Sequence, residues 1–198
     1  MRNRGAANSE DKPVRVEVKD VCGDLPILET EWWVMADMSI REATSSDIQS
    51  LCRLYYEFHE FHARAVPERL ITQGSLAALD DSELSTTLQT IIDDERAIIL
   101  VAEVDGQKVG LVEAYIRHDE AHPLRRGYRY GHLQSLMVAK GCRGRGVGRR
   151  LIEAAEEWTK GHGAREMRLD TWEAAGDPVG FYEKVGYRTL RRTMVHVL

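Results

Sequence analysis

No apolar run in the sequence is long enough to cross a membrane, so no transmembrane helix is expected. The opening residues MRNRGAANSEDKP are polar and lack the apolar stretch of a signal peptide, which makes a cytoplasmic setting the expectation. Cysteine is scarce. Cys22, Cys52 and Cys142 are odd in number, scattered and free of any C-x-x-C spacing, so neither a disulfide framework nor a zinc site is suggested. His59 and His62 lie three apart with Glu60 nearby, but a third ligand is not evident and no metal is expected. Positive charge is not in excess. The formal net charge of −5 argues against nucleic acid as the main partner and is compatible with a cationic amine. No internal repeat is present.

What remains is an ordinary globular composition, 43% hydrophobic and 30% charged in 198 residues, enough for one domain with a full core. Residues 1–37 read as an N-terminal extension, partly disordered. Val14, Val16 and Val18 alternate with charged residues as a short strand would. An added strand, a homodimer contact or a translated leader ahead of a later start at Met35 or Met38 all stay open for this stretch. The domain proper is expected over residues 38–198. Ser39–Ala43 reads as its first strand, and Thr44 with Asp47 resembles a capping box. The following helix places Ile48, Leu51, Leu54, Tyr55 and Phe58 on one face and ends before Pro67. A second helix is expected over Ser75–Ile92. Ala97–Val104 is a buried-type strand, Asp105-Gly106 a hairpin turn, and Val109–Arg117 the returning strand. His118–Arg129 reads as a mobile loop over a site. Strands are also expected over Glu166–Trp172 and Arg192–Leu198, with a short helix over Val179–Tyr187 between them. The order predicts an α/β (α+β) fold with helices on both faces of a mixed sheet.

The most informative stretch runs from His132 to Trp158. His132–Val138 reads as a strand, and Lys140–Gly148 is a turn of four glycines interleaved with arginines. From Val147 a helix begins, with Val147, Leu151, Ile152, Ala155 and Trp158 on one face. A strand feeding a glycine turn that opens a helix is an anion-binding construction, because the first helical N–H groups lack partners and glycine lets the backbone approach a ligand. Arg143, Arg145, Arg149 and Arg150 crowd the positive end of that helix, an arrangement that a bound polyanion would turn from unfavourable to favourable. A Walker loop is not present, since Gly148-Arg149-Arg150 lacks the Lys-Ser/Thr pair. A dinucleotide fingerprint would need a third glycine where Leu151 stands, although Asp170 could imitate its ribose-binding acid.

Leu136-Met137-Val138, followed by Arg143-Gly144-Arg145-Gly146-Val147-Gly148, resembles the coenzyme A signature of the GNAT superfamily of N-acyltransferases. That signature is L-x-V, a short spacer, then R/Q-x-x-G-x-G/A. Phe181-Tyr182-Glu183-Lys184-Val185-Gly186-Tyr187 resembles the family's late motif, F/L-Y-x-x-x-G-F/Y. The family often carries an asparagine seven residues before that tyrosine, and Ala175 stands there instead. The resemblance implies a mostly antiparallel central sheet with splayed central strands, and acetyl-CoA as cosubstrate. It implies pyrophosphate on the turn from Arg143 through Gly144, Arg145, Gly146, Val147 and Gly148 to Arg149, and pantetheine on the backbone of Met137 and Val138.

A small-molecule or peptide amine is the implied acceptor. A protonated amine needs a base, and the resemblance offers His132 or Glu113, directly or through water, with Gln134 and Ser135 as orienting groups. Tyr182 is the implied general acid for the thiolate. Tyr55, Glu57, His59 and His62 are implied neighbours of the acceptor. The alternatives are a non-catalytic acyl-CoA-binding module and, from the residues alone, nucleotide binding by the glycine turn.

Overall fold

The computed structural model describes residues 38–70, 81–172 and 178–197. The expectations for residues 1–37, for the start of the second helix at Ser75 and for the position of Ala175 lie outside the described residues.

The elements are β1 (Ser39–Glu42), a 3-10 turn (Ser45–Asp47), α1 (Ile48–Ala65), α2 (Asp81–Ile92), β2 (Ala97–Val104), β3 (Gln107–Asp119), β4 (Tyr128–Val138), a second 3-10 turn (Lys140–Cys142), α3 (Val147–Gly161), β5 (Met167–Leu169) and α4 (Pro178–Lys184). They build one five-stranded sheet in the order β1-β2-β3-β4-β5. The first four strands pair antiparallel and β5 joins β4 in parallel. The sheet is therefore mixed and mostly antiparallel, with helices on both faces, as expected.

Local chemistry accounts for the elements. The Asp47 carboxylate reaches back to the Thr44 N–H at 2.9 Å and steadies the entry to α1. That helix stops at Ala65, two residues before Pro67. Asp105 and Gly106 both have positive φ (50° and 76°), as the tight turn between β2 and β3 requires. The apolar run Ala97–Val104 is buried almost throughout because both sheet faces are covered. One face packs Val112, Ala114 and Leu133 against Val147, Leu151, Ile152 and Ala155 of α3. The other packs Val101, Leu111 and Met137 against Leu51 and Leu54 of α1 and Leu88 of α2. Two glycines let α3 sit close. A Cβ on Gly110 would lie 2.8 Å from the Met137 carbonyl oxygen and 3.2 Å from Leu151, and one on Gly131 would lie 2.5 Å from Thr159 Oγ1.

Two expectations are corrected. The stretch His118–Arg129 is not a loop throughout. His118 pairs with Arg129 and Asp119 with Tyr128, so β3 and β4 form a long hairpin joined by residues 120–127. Their polar side chains hid the strand ends, but the ladder is made by backbone and continues past them. No strand forms over 192–197. Met194, Val195 and Val197 are exposed (91%, 72% and 83%), and an alternating pattern becomes a strand only where a neighbour supplies the ladder.

Candidate active site

The parallel pairing of β4 with β5 covers only three residue pairs, Gly131–Met167, His132–Arg168 and Leu133–Leu169. Beyond them β5 has ended while β4 runs on to Val138, so the two strands form an open fork. The Ala139 N–H donates to the Val109 carbonyl at 2.9 Å, and residues 110 and 111 stand opposite 138 and 137. Alternation along the strand then turns the Met137 backbone towards β3 and the backbone of Leu136 and Val138 towards the fork. The Met137 backbone serves the sheet and its side chain is buried on the α1 side. The Leu136 backbone and the Val138 N–H face the fork, while the Val138 carbonyl is taken by Arg143.

The glycine turn closes one end of this fork. Gly144 and Gly146 have φ of +75° and +78°, a region open to glycine at little cost, and Gly146 is the residue from which α3 starts. A Cβ on Gly148 would lie 3.4 Å from Phe181 Cζ and 3.7 Å from Val138 Cγ2, so the first turn of α3, α4 and β4 meet around it. The amides of this turn and the positive helix end fit a pyrophosphate, which supplies charge where the chain supplies donors. Arg143 is drawn to the protein. Its Nε donates to the Val138 carbonyl at 2.8 Å, its Nη2 lies 3.1 Å from Glu57 Oε1, and its guanidinium stands 5.3 Å from the Phe61 ring centroid. Arg149 is exposed and Arg145 partly so.

Across the sheet, β3 and β4 carry a polar cluster. A bulge at Gln134 sets Ser135 opposite Glu113, and Leu133 opposite Ala114. His132 then falls opposite Tyr115. In a regular strand, residues 132 and 135 would face opposite ways. The extra residue brings His132 onto the face that carries Ser135, Glu113 and Tyr115. Glu113 is buried and both its oxygens are taken: Tyr55 donates to Oε2 and Tyr115 to Oε1, each at 2.5 Å. Burial, reinforced by the Glu113 charge, pushes the Tyr55 hydroxyl well above its ordinary pKa, and the same causes raise Tyr115. His132 is also buried, and desolvation with the Arg117 charge pulls its pKa below 6.5.

An open cavity of about 340 Å³ lies over this cluster. Leu84, Leu88 and Ile91 of α2 form an apolar wall, and Glu113, Tyr115 and Arg117 are among its polar lining. His132 is not on that lining; it stands beside Tyr115 at the closed end of the fork. Tyr182 lies on the α3 side of the sheet, its ring 5.8 Å from that of Tyr187, and burial pushes its hydroxyl up to about 12. Glu113 and His132 are therefore together on one face, and Tyr182 is on the other.

The resemblance-based neighbours divide. Tyr55 joins the cluster and Glu57 the glycine turn. His62 packs on Phe58 at 4.0 Å between ring centroids, with its Nδ1 3.0 Å from the Phe58 carbonyl. Among the described residues, no group of three or more potential metal ligands occurs. Sequence reading missed Tyr115 and Arg117. The available signal was the polar series Glu113, Tyr115, Arg117 at every second position of an otherwise apolar strand.

The acetyltransferase (GNAT) family profile matches residues 50–187, which span the fork, the glycine turn and Tyr182. The chain belongs to this family. Over 96 residues it is 34% identical to an aminoglycoside N(6')-acetyltransferase type 1 of Stenotrophomonas maltophilia, a match covering 46% of this chain and 59% of that protein. The fold is similar to that of a tetramutant of the BH1408 protein from Bacillus halodurans, with a TM-score of 0.72, 24% identity, and coverage of 81% of this chain and 99% of that one. It is also similar to the aminoglycoside N-acetyltransferase AAC(6')-Iy in complex with CoA, with a TM-score of 0.64, 20% identity, and coverage of 81% and 94%. The GNAT assignment accounts for the splayed strands and for the glycine turn. Among the described residues, no helix is long and apolar enough to cross a membrane.

Proposed function

We propose that this GNAT chain moves the acetyl group of acetyl-CoA to a primary amine. The observation that carries the proposal is the fork. It leaves the Leu136 backbone and the Val138 N–H between a phosphate-type helix start on one side and a buried acid–tyrosine–histidine cluster on the other. Acetyl-CoA supplies the activated thioester, and the chain supplies positioning and proton transfer.

The turn from Gly144 to Arg149 holds the pyrophosphate, with Arg145 and Arg149 adding charge, while Arg143 braces the turn from the α1 side. An N–H on the fork edge of β4 donates to the carbonyl oxygen as it gains negative charge. The amine enters through the cavity above Glu113. Glu113 has both oxygens occupied by tyrosine hydroxyls, so its role is charge and orientation rather than proton uptake. His132, held neutral by burial, takes the amine proton through a water, since it lies behind the cavity wall. The imidazolium so formed is stabilised by the nearby carboxylate. Nitrogen attacks the carbonyl carbon, the C–S bond breaks, and the Tyr182 hydroxyl donates its proton to the departing sulfur; the second N–H proton leaves to solvent, from which Tyr182 is reprotonated. The raised Tyr182 pKa keeps that proton in place at neutral pH.

The test is release of free thiol from acetyl-CoA with a panel of primary amines. Amine-dependent release supports acetyl transfer. Binding of acetyl-CoA without release on any amine would instead favour a non-catalytic acyl-CoA-binding module. The similarity to an aminoglycoside N(6')-acetyltransferase makes an aminoglycoside the second acceptor class to include.

A further inference from the structure

The cavity over Glu113 has an unusual charge arrangement for a site that takes an amine. Its polar lining includes one carboxylate, Glu113, already engaged by two hydroxyls, and one guanidinium, Arg117. Arg117 is exposed, 5.7 Å from the Tyr115 ring centroid, and its Nη2 lies 3.4 Å from Gln134 Oε1. Among the described residues, no carboxylate pairs with it.

A second cavity, of about 490 Å³, adjoins the same side chain. It is lined by Arg96, Ile116, Arg117, His118, Arg129 and Tyr130, three arginines and a histidine with no carboxylate. Arg96 is paired with Asp94 at 3.5 Å and His118 lies 3.8 Å from Glu120, whereas Arg117 stands where the two cavities meet. A ligand with several ammonium groups would place charge against these arginines. A ligand with one ammonium and one carboxylate would place the first towards Glu113 and the second on Arg117, whose planar fork suits a carboxylate. Leu84, Leu88 and Ile91 offer an apolar wall to the remainder of such a molecule. A volume near 340 Å³ is at the small end of the ligand-pocket range of about 300–1,000 Å³.

We propose, on the basis of the acetyl-transfer assignment above, that the acceptor is a compact amine carrying a carboxylate, of the amino-acid type, and that Arg117 is the residue that selects it. The described walls offer a polycation one carboxylate, Glu113, already engaged by two hydroxyls, and the site is suited to a zwitterion.

The test compares matched acceptors on the full chain: amino acids with apolar side chains, the amines left by removing their carboxyl groups, and an aminoglycoside. The expected result is a kcat/KM for the carboxylate-bearing amine roughly five- to tenfold above that of its decarboxylated partner, carried mainly by KM. In Arg117→Ala that ratio should fall to within about twofold, and Arg117→Lys should retain part of it. The ratio is internal to each protein, so loss of folded protein does not alter it. Equal rates for the matched pair in the wild type, a ratio unmoved by Arg117→Ala, or faster turnover of the aminoglycoside would overturn the inference while leaving acetyl transfer standing. Absence of thiol release with every amine, with acetyl-CoA still bound, would overturn both.

Discussion

Glu57 on α1 accepts the backbone N–H of Lys140 at 2.9 Å, so a side chain of the first helix fixes the entrance to the glycine turn that opens α3. The same oxygen lies 3.1 Å from Arg143 Nη2. Both side chains are part-exposed, so the ion pair contributes little to stability and its effect is on the geometry of the turn. Glu57→Ala is expected to raise the KM for acetyl-CoA about three- to tenfold while changing kcat by less than about twofold. Glu57→Gln, which keeps an oxygen acceptor for Lys140, should fall between the two. Steady-state kinetics at saturating amine checks this. A fall in kcat with KM unmoved would assign Glu57 to the reacting groups instead.

Tyr182 carries a proton that burial holds up to about 12, and it sits on the α3 side of the fork, across the sheet from His132. Tyr182→Phe keeps the ring against Tyr187 and removes only the hydroxyl. Turnover should drop by about 100-fold with acetyl-CoA affinity changed by less than about threefold. Calorimetric titration beside initial rates separates the two. Equal loss of both would make Tyr182 a packing residue.

Gly131 on β4 faces Thr159 on α3 so closely that a Cβ would come within 2.5 Å of Oγ1 and 2.6 Å of Cγ2. Gly131→Ala should destabilise the protein by about 1–3 kcal/mol. Thr159→Ala removes both of those atoms, and Thr159 Oγ1 is buried without a partner, so the single change should cost little. The double variant should recover most of the loss, a coupling readable as a double-mutant cycle in urea unfolding. Additive losses would show that α3 is held off β4 by something other than this contact.

The strands and helices were legible where apolar period and turn chemistry agreed. Ala97–Val104 and the Asp105-Gly106 turn are reproduced residue for residue, and α3 starts at the expected Val147. The glycine turn was legible because its motif is local in sequence. The bracing of that turn and the polar cluster on β3 and β4 were not, because they depend on long-range pairing. Glu57 meets Lys140 from 83 residues away. The bulge at Gln134, which decides that His132 and Ser135 share a face, leaves no mark in the alternation of side chains. The register turns the Met137 backbone to β3, a pairing that the local motif does not record. The alternation in Arg192–Leu198 promised a strand over residues that, as far as 197, have no ladder partner.

Asp47 is almost wholly buried, with Arg41 Nη1 and Nη2 donating to its two oxygens at 2.8 and 2.9 Å. The Arg41 hydrogen bonds, helped by the Thr44 N–H and working against desolvation, hold its carboxyl well below the ordinary value of 3.8. The folded pKa is thus lower than the unfolded one. The stabilisation is complete above about 3.8 and is lost as pH falls from there through the folded value. Asp47→Asn should cost about 1–3 kcal/mol at neutral pH, discounted because Arg41 is partly exposed. Urea unfolding of both proteins at pH 7 and pH 3 should show the gap narrowing at the lower pH. A constant gap would mean that the carboxylate charge is not what the fold uses.

In the proposed mechanism His132 is the base, and the pH dependence of kcat/KM for the best amine tests that role most directly. Desolvation and the Arg117 charge pull its pKa below 6.5, and a base must be neutral to accept a proton, so activity should fall as pH drops through a midpoint under 6.5. His132→Gln should lose that limb together with about 100-fold in rate, while the amine's own ionisation near ~10 remains in the profile. A variant that keeps both the limb and the rate would contradict proton transfer through His132.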